Sequence, residues 1–322
     1  MSALLIVGHG TRDEEGAEQF RAFVRRVADR AVGAGVAEAV AGGFIELSPP
    51  PLKDAVAGLV EAGHRNLTAV PLILLAAGHA KGDIPAALAR ERDRHPGLRT
   101  RLGRPLGPHP VVLDLLRERL AAASTALPAT AQPDAVLLVG RGTTDPDANA
   151  DLYRAARLLW ETTRHTGVLE VEPAFVSLAR PSVAEGLDRL RALGARRVVV
   201  LPFFLFPGVL PTRIHTQVRE WAAAHDAAAS VADVLGDCDA LADLVLERYL
   251  EADGRGPGAP GMNCDACVYR IALPGFEGRV GRPQHPHDHP DDPNHPHGHG
   301  HHEHHDHPQG HEHEHPAAPV SG

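Results

Sequence analysis

The sequence predicts an α/β protein of two similar lobes, each a parallel sheet flanked by helices, followed by a disordered His-rich C-terminal tail. Three observations carry that expectation. Short apolar runs alternate with longer amphipathic stretches, the motifs of the first part of the chain return in order in the second, and the composition changes sharply after Leu250. Strands alternating with helices imply a parallel sheet covered on both faces.

In the first lobe, residues 4–7 form a continuous apolar run, the pattern of a strand buried on both sides. Residues 14–31 follow as a helix, with Phe20, Val24, Val27 and Ala31 at helical spacing and acidic residues in the first turn. Residues 39–45 read as a strand, 51–62 as a helix, 67–75 as a strand and 84–93 as a helix. A short strand at 99–103 and a closing helix at 111–123 complete the lobe. The second lobe repeats this order from Ala135 to about Leu250. Residues 3–13 return at 135–145, the segment from Gly43 to Pro50 returns at 174–181, and Val70-Pro71-Leu72-Ile73-Leu74-Leu75 returns as Leu201-Pro202-Phe203-Phe204-Leu205-Phe206. Such a period is too long for a solenoid and fits two lobes. The boundaries are 1–125 and 126–250 for the lobes, 251–283 for a linker rich in Gly and Pro, and 284–322 for the tail, which has almost nothing apolar to bury.

Composition narrows the function. The 322 residues carry a net charge of −9, which excludes a nucleic-acid partner that would need a basic surplus. An anionic ligand must be held by local Arg and Lys. Three cysteines make no disulfide framework, so a reducing, cytoplasmic compartment is expected. The first residues run straight into strand-like sequence, without the basic region of a signal peptide. The most apolar stretch, 198–210, is too short for a membrane span and is interrupted by Pro202 and Pro207.

In open parallel sheets, ligands bind beyond the carboxyl ends of the strands. In the first lobe the groups that follow the strands are His9, Glu46 and His79. Two imidazoles and a carboxylate on one sheet edge suit a first-row transition metal, with the carboxylate available as ligand or proton acceptor. In the second lobe His9 is replaced by Arg141, Glu46 by Ser177, and His79 by Val209 or Leu210. The scaffold is repeated and the chemistry is not, which points to a single site on the first lobe.

Leu5-Ile6-Val7-Gly8-His9-Gly10-Thr11-Arg12, Gly43-Phe44-Ile45-Glu46-Leu47-Ser48-Pro49-Pro50 and the segment Gly78-His79-Ala80-Lys81-Gly82-Asp83-Ile84-Pro85 resemble the sirohydrochlorin chelatase (CbiX/SirB) family in its long, duplicated form. The resemblance runs to about residue 250 and extends to the Met-x-Cys-x-x-Cys segment and the His-rich C-terminus. It implies class II chelatase lobes and insertion of Co²⁺ into sirohydrochlorin with release of two protons, in cobalamin biosynthesis. It further implies a metal held by His9 and His79 and assisted by Glu46. The substrate's carboxylates would need cations, and Arg12, Lys81, Arg141 and Arg213 lie on or just after strand ends. A monomer of two lobes is implied, or a dimer if a cluster is shared.

Two features lie outside the lobes. Cys264 and Cys267 supply half the thiolates of a zinc site or an iron–sulfur cluster, so Cys238 or a second chain would have to contribute. The tail places His285, His287, His289, His295, His297, His299, His301, His302, His304, His305, His307, His311, His313 and His315 among Pro, Asp, Glu and Gly, a composition suited to labile metal binding. Iron or nickel as the inserted metal, and a His-rich storage or delivery protein, are the competing readings. A His phosphatase would need an Arg immediately before the His, where Gly8 stands.

Overall fold

A computed structural model of the chain describes residues 1–127, 133–163, 166–225, 227–256 and 278. The first half runs β1 (Ala3–Gly8), α1 (Glu14–Gly33), β2 (Val40–Phe44), α2 (Leu52–Glu61), β3 (Asn66–Pro71), a π-helical turn (His79–Asp83), α3 (Ile84–Arg94), β4 (Arg99–Leu102) and α4 (Pro110–Ser124). The second half runs β5 (Ala135–Gly140), α5 (Pro146–Thr163), β6 (Val171–Phe175), α6 (Val183–Ala192), β7 (Arg197–Pro202), α7 (Val209–His225), β8 (Ala228–Val231) and α8 (Asp239–Asp253). Each half forms a four-stranded, all-parallel sheet, in the orders β2-β1-β3-β4 and β6-β5-β7-β8. The two central strands β1 and β5 are buried along their whole length, as expected of an uninterrupted apolar run covered on both faces.

Local sequence explains the helix starts. Asp13 caps α1, its carboxylate accepting from the Gly16 amide, and Glu14 and Glu15 complement the N-terminal end of the helix. The buried stripe of α1 is Phe20, Phe23, Val27 and Ala31, with Val24 packed at its margin. Ser182 and Glu185 form a reciprocal capping box on α6.

Two differences from the sequence-based expectation have physical causes. β3 ends at Pro71 although the apolar run continues to Leu75. Leu72 and Leu74 enter the core, and the Ile73 and Leu74 carbonyls accept from Leu106 and Gly107, so the segment is buried without extending the ladder. The larger difference is in the closing helices. α4 packs on β7, β8 and α5 of the second half, and α8 packs on β3, β4 and α1 of the first. Arg119 on α4 donates to the Val234 and Leu235 carbonyls at 2.8 and 2.7 Å. In return, the Tyr249 hydroxyl on α8 donates to the Ser2 carbonyl at 2.6 Å. The division at 125/126 therefore follows the repeat and not the packing: each half is covered by the other's last helix. One apolar core runs through both halves, while α2 with α3, and α6 with α7, seal the outer faces of their sheets.

Candidate metal centre

The carboxyl ends of the two sheets face each other. Gly16 approaches the Pro207 carbonyl so closely that a Cβ would lie 2.5 Å from it, and Thr11 lies beside Gly208. Lys81, in the π-helical turn that precedes α3, reaches Asp145, just before α5, and Asp147 in the first turn of α5.

His9 leaves β1 in a turn that only glycine permits. Gly10 has φ +103°, and a Cβ there would sit 1.7 Å from the Glu46 carbonyl oxygen. That close approach, with the Glu46 amide donating to the His9 carbonyl at 3.1 Å, sets the two side chains together. His9 Nε2 lies 3.4 Å from Glu46 Oε1. The His79 ring meets that of His9 edge-on, with centroids 4.1 Å apart and planes at 79°. One ligand atom from each of His9, Glu46 and His79 lies within 4.8 Å of the others. Metal–ligand bonds of about 2 Å put ligands at most about 4 Å apart, so small side-chain rotations bring all three around one ion. Three residues separated along the chain thus form one N/N/O donor set.

The two imidazoles are oriented differently. His9 Nδ1 is 3.1 Å from the Gly10 carbonyl and donates to it, leaving the Nε2 lone pair facing the cleft. Burial, then the neighbouring His79 and the Arg141 guanidinium, push the pKa of His9 from its ordinary value down to about 3, so it is a neutral ligand at physiological pH. His79 is held from behind. Its Nδ1 lies 2.7 Å from the buried carboxylate of Asp83, the last residue of the π-helical turn, which directs Nε2 toward His9. Asp83 was not identified from sequence; its signal is the four-residue spacing from His79, which places both on one face of a helical turn. Asp83→Asn is expected to weaken Co²⁺ binding roughly 10–100-fold, the usual consequence of losing an outer-shell carboxylate. A titration monitored by cobalt absorbance checks it, and unchanged affinity would remove Asp83 from the centre.

The expected cations separate into three groups. Arg141, which stands where the first half has His9, reaches back across the cleft and donates to His9 Nε2 at 3.2 Å. Arg12, between β1 and α1, and Arg213, near the start of α7, are exposed and hold no ion pair among the described residues. Lys81 corrects the expectation made for it. Its ammonium is 2.8 Å from both Asp145 and Asp147 and only 5 % exposed, so it joins the lobes and is not free for a ligand. Burial disfavours its charge, but the bonds from Asp145 and Asp147 outweigh that and raise its pKa. In the second half α7 begins directly at Val209, and Ser177 stands in place of Glu46. Cys238 is a free thiol at the start of α8. Cys264, Cys267 and the histidines of the tail lie outside the described residues. Among those residues, no helix is long and apolar enough to cross a membrane.

The CbiX family model matches residues 3–123 and 135–252. The chain is 36 % identical to a sirohydrochlorin cobaltochelatase of Priestia megaterium over 275 residues, covering 85 % of this chain and 86 % of that one. It is 33 % identical to a sirohydrochlorin ferrochelatase of the same organism over 250 residues, covering 77 % and 89 %. Its fold is similar to the crystal structure of the sirohydrochlorin chelatase SirB from Bacillus subtilis subspecies spizizenii in complex with cobalt. That likeness has a TM-score of 0.63 at 27 % identity, over 79 % of this chain and 97 % of the other.

Proposed function

Because the chain belongs to the CbiX family, we propose that it is a metal chelatase that inserts Co²⁺ into sirohydrochlorin and releases two protons. The observation that carries this reading is the meeting of His9, Glu46 and His79 on an edge that faces a second lobe. Insertion requires a partly desolvated ion, removal of two pyrrole protons and access of the metal to the ring. His9 Nε2 and the outward nitrogen of His79 replace part of the ion's water shell, and the open positions face the incoming ring. Glu46, 3.4 Å from His9 Nε2, accepts protons at the point where the metal leaves its ligands. Arg141 bonds either His9 or a substrate carboxylate. A bound tetrapyrrole therefore draws the guanidinium away from the nitrogen that the metal needs, while Arg12 and Arg213 meet further carboxylates.

Cobalt is favoured by the 36 % identical cobaltochelatase, although the N/N/O donor set itself accepts several divalent ions. Visible absorbance of sirohydrochlorin with purified protein and Co²⁺, Fe²⁺ or Ni²⁺ in turn tests the proposal. Fastest conversion with Co²⁺ is expected; no acceleration over the protein-free reaction with any of the three would reject it. In the same assay Glu46→Gln is expected to lower kcat about 10²–10⁴-fold, the range typical of a general base. Wild-type turnover in that variant would assign the protons to another acceptor.

A further inference from the structure

Each half carries an unusual turn where its edge strand leaves the sheet. After β2, the Ser48 amide donates to the Glu46 carbonyl at 2.8 Å, with Leu47 between them at φ +65°. After β6, the Ala179 amide donates to the Ser177 carbonyl at 2.7 Å, with Leu178 between them at φ +62°. Both are γ-turns of the rare, strained hand, and a branched side chain at positive φ adds to the strain. Among the described residues these are the two non-glycine positions with positive φ. Glycine or asparagine would adopt the turn more easily. Both leucines are nevertheless held out in solvent, 51 % and 66 % exposed. The metal-site carboxylate next to Leu47 is replaced by Ser177 in the second half, yet the leucine and its strained turn recur.

The topology locates the two turns. β1 lies opposite β7, through Thr11 and Gly16 against Pro207 and Gly208, and β3 lies opposite β5, through Lys81 against Asp145. β2 lies beyond β1 and β6 beyond β5, so the turns fall at opposite ends of the shared edge, on either side of the metal centre. Measured along that edge they are offset by three strand spacings, about 14 Å, with the cleft between the sheets adding to the span that a ring must bridge.

We propose that Leu47 and Leu178 form a pair of apolar clamps that hold sirohydrochlorin by opposite sides of its ring, centring it over His9 and His79. The inference rests on the chelatase reading and names residues that set the substrate's position. A leucine held out by a strained turn is costly in the free protein, and a flat apolar ring set between two carboxylate-rich borders is the surface that would cover it. Turns of fixed geometry also fix where the ring stops, which a mobile loop would not do.

The test separates grip from chemistry and from folding. Leu178→Gly removes the side chain and relieves the positive φ, in a loop that holds no metal-binding group. Binding of metal-free sirohydrochlorin, followed by quenching of its own fluorescence, should weaken about tenfold for Leu178→Gly and for Leu47→Gly. The KM for sirohydrochlorin should rise in parallel, with Co²⁺ affinity in the absence of tetrapyrrole unchanged and thermal stability equal or higher. Leu178→Met should restore binding to within about twofold, because it restores apolar volume. Unchanged affinity in both glycine variants, or a loss traced to lower thermal stability, overturns the clamp and leaves the chelatase reading standing. A wild-type protein that neither binds nor metallates sirohydrochlorin overturns both.

Discussion

His79→Ala is expected to abolish Co²⁺ insertion, with a loss well beyond the roughly 10–100-fold typical of an outer-shell partner. His79 is the most constrained member of the donor set. It is 7 % exposed, sits in a π-helical turn, and is braced by Asp83 at 2.7 Å. The substitution removes one of two imidazoles and leaves a buried carboxylate without its donor, which costs about 1–3 kcal/mol in stability. His79→Gln separates the two effects, since an amide can donate to Asp83 while binding metal poorly. Both variants should lose cobalt absorbance and turnover together, and the glutamine variant should keep its thermal midpoint. Turnover near the wild-type value in a folded His79→Ala protein would move the metal elsewhere. His9 is 24 % exposed at its side chain, so His9→Ala should reproduce the catalytic loss with less effect on stability.

The second large effect is structural. Lys81→Met is expected to destabilise the protein by about 3–5 kcal/mol, because it leaves the buried carboxylates of Asp145 and Asp147 without their shared cation. For a protein of this size that is a fall of about 6–20 °C in Tm. Asp145 retains its bonds to the Asp147 and Ala148 amides at the start of α5, which limits the damage to the side facing Lys81. The double variant Lys81→Met/Asp147→Asn should recover part of the loss, since the cost is an uncompensated charge and not a missing contact. The raised pKa of Lys81 fixes the pH dependence. A lysine whose folded pKa exceeds its unfolded value stabilises fully below the unfolded value, near 10.4, and loses that contribution only as pH rises through the folded one. The difference between wild type and Lys81→Met should therefore be flat across neutral pH and shrink in strong alkali. A Tm within about 2 °C of wild type would show that solvent already screens the pair.

The sheets and the donor set were legible in the sequence for a common reason. Uninterrupted apolar runs mark buried parallel strands, and residues placed directly after such strands are brought to one edge whatever their separation along the chain. His9 and Glu46 obey that rule, and His79 reaches the same edge at the end of the segment that follows Pro71. Residues whose role depends on a partner outside their own half were not legible. Lys81 lies in the same segment as His79, and nothing local distinguishes a cation for a ligand from a cation for Asp145. Asp83 was hidden because its contribution passes through another side chain. The apolar run beyond Pro71 extended β3 too far, since burial and ladder pairing leave the same hydrophobic signature. Periodicity in α4 and α8 reveals that each has an apolar face and is silent on which sheet receives it.

That crossing of α4 and α8 has a consequence for ancestry and assembly. A stand-alone polypeptide built like the first repeat would leave part of its sheet bare and its final helix unhoused. Two copies satisfy each other by trading those helices, so pairing is inherent in the half-length design, and joining the copies in tandem converts an encounter between molecules into an intramolecular event. Once joined, one copy is free to do without imidazoles while still supplying the helix that covers its neighbour's sheet.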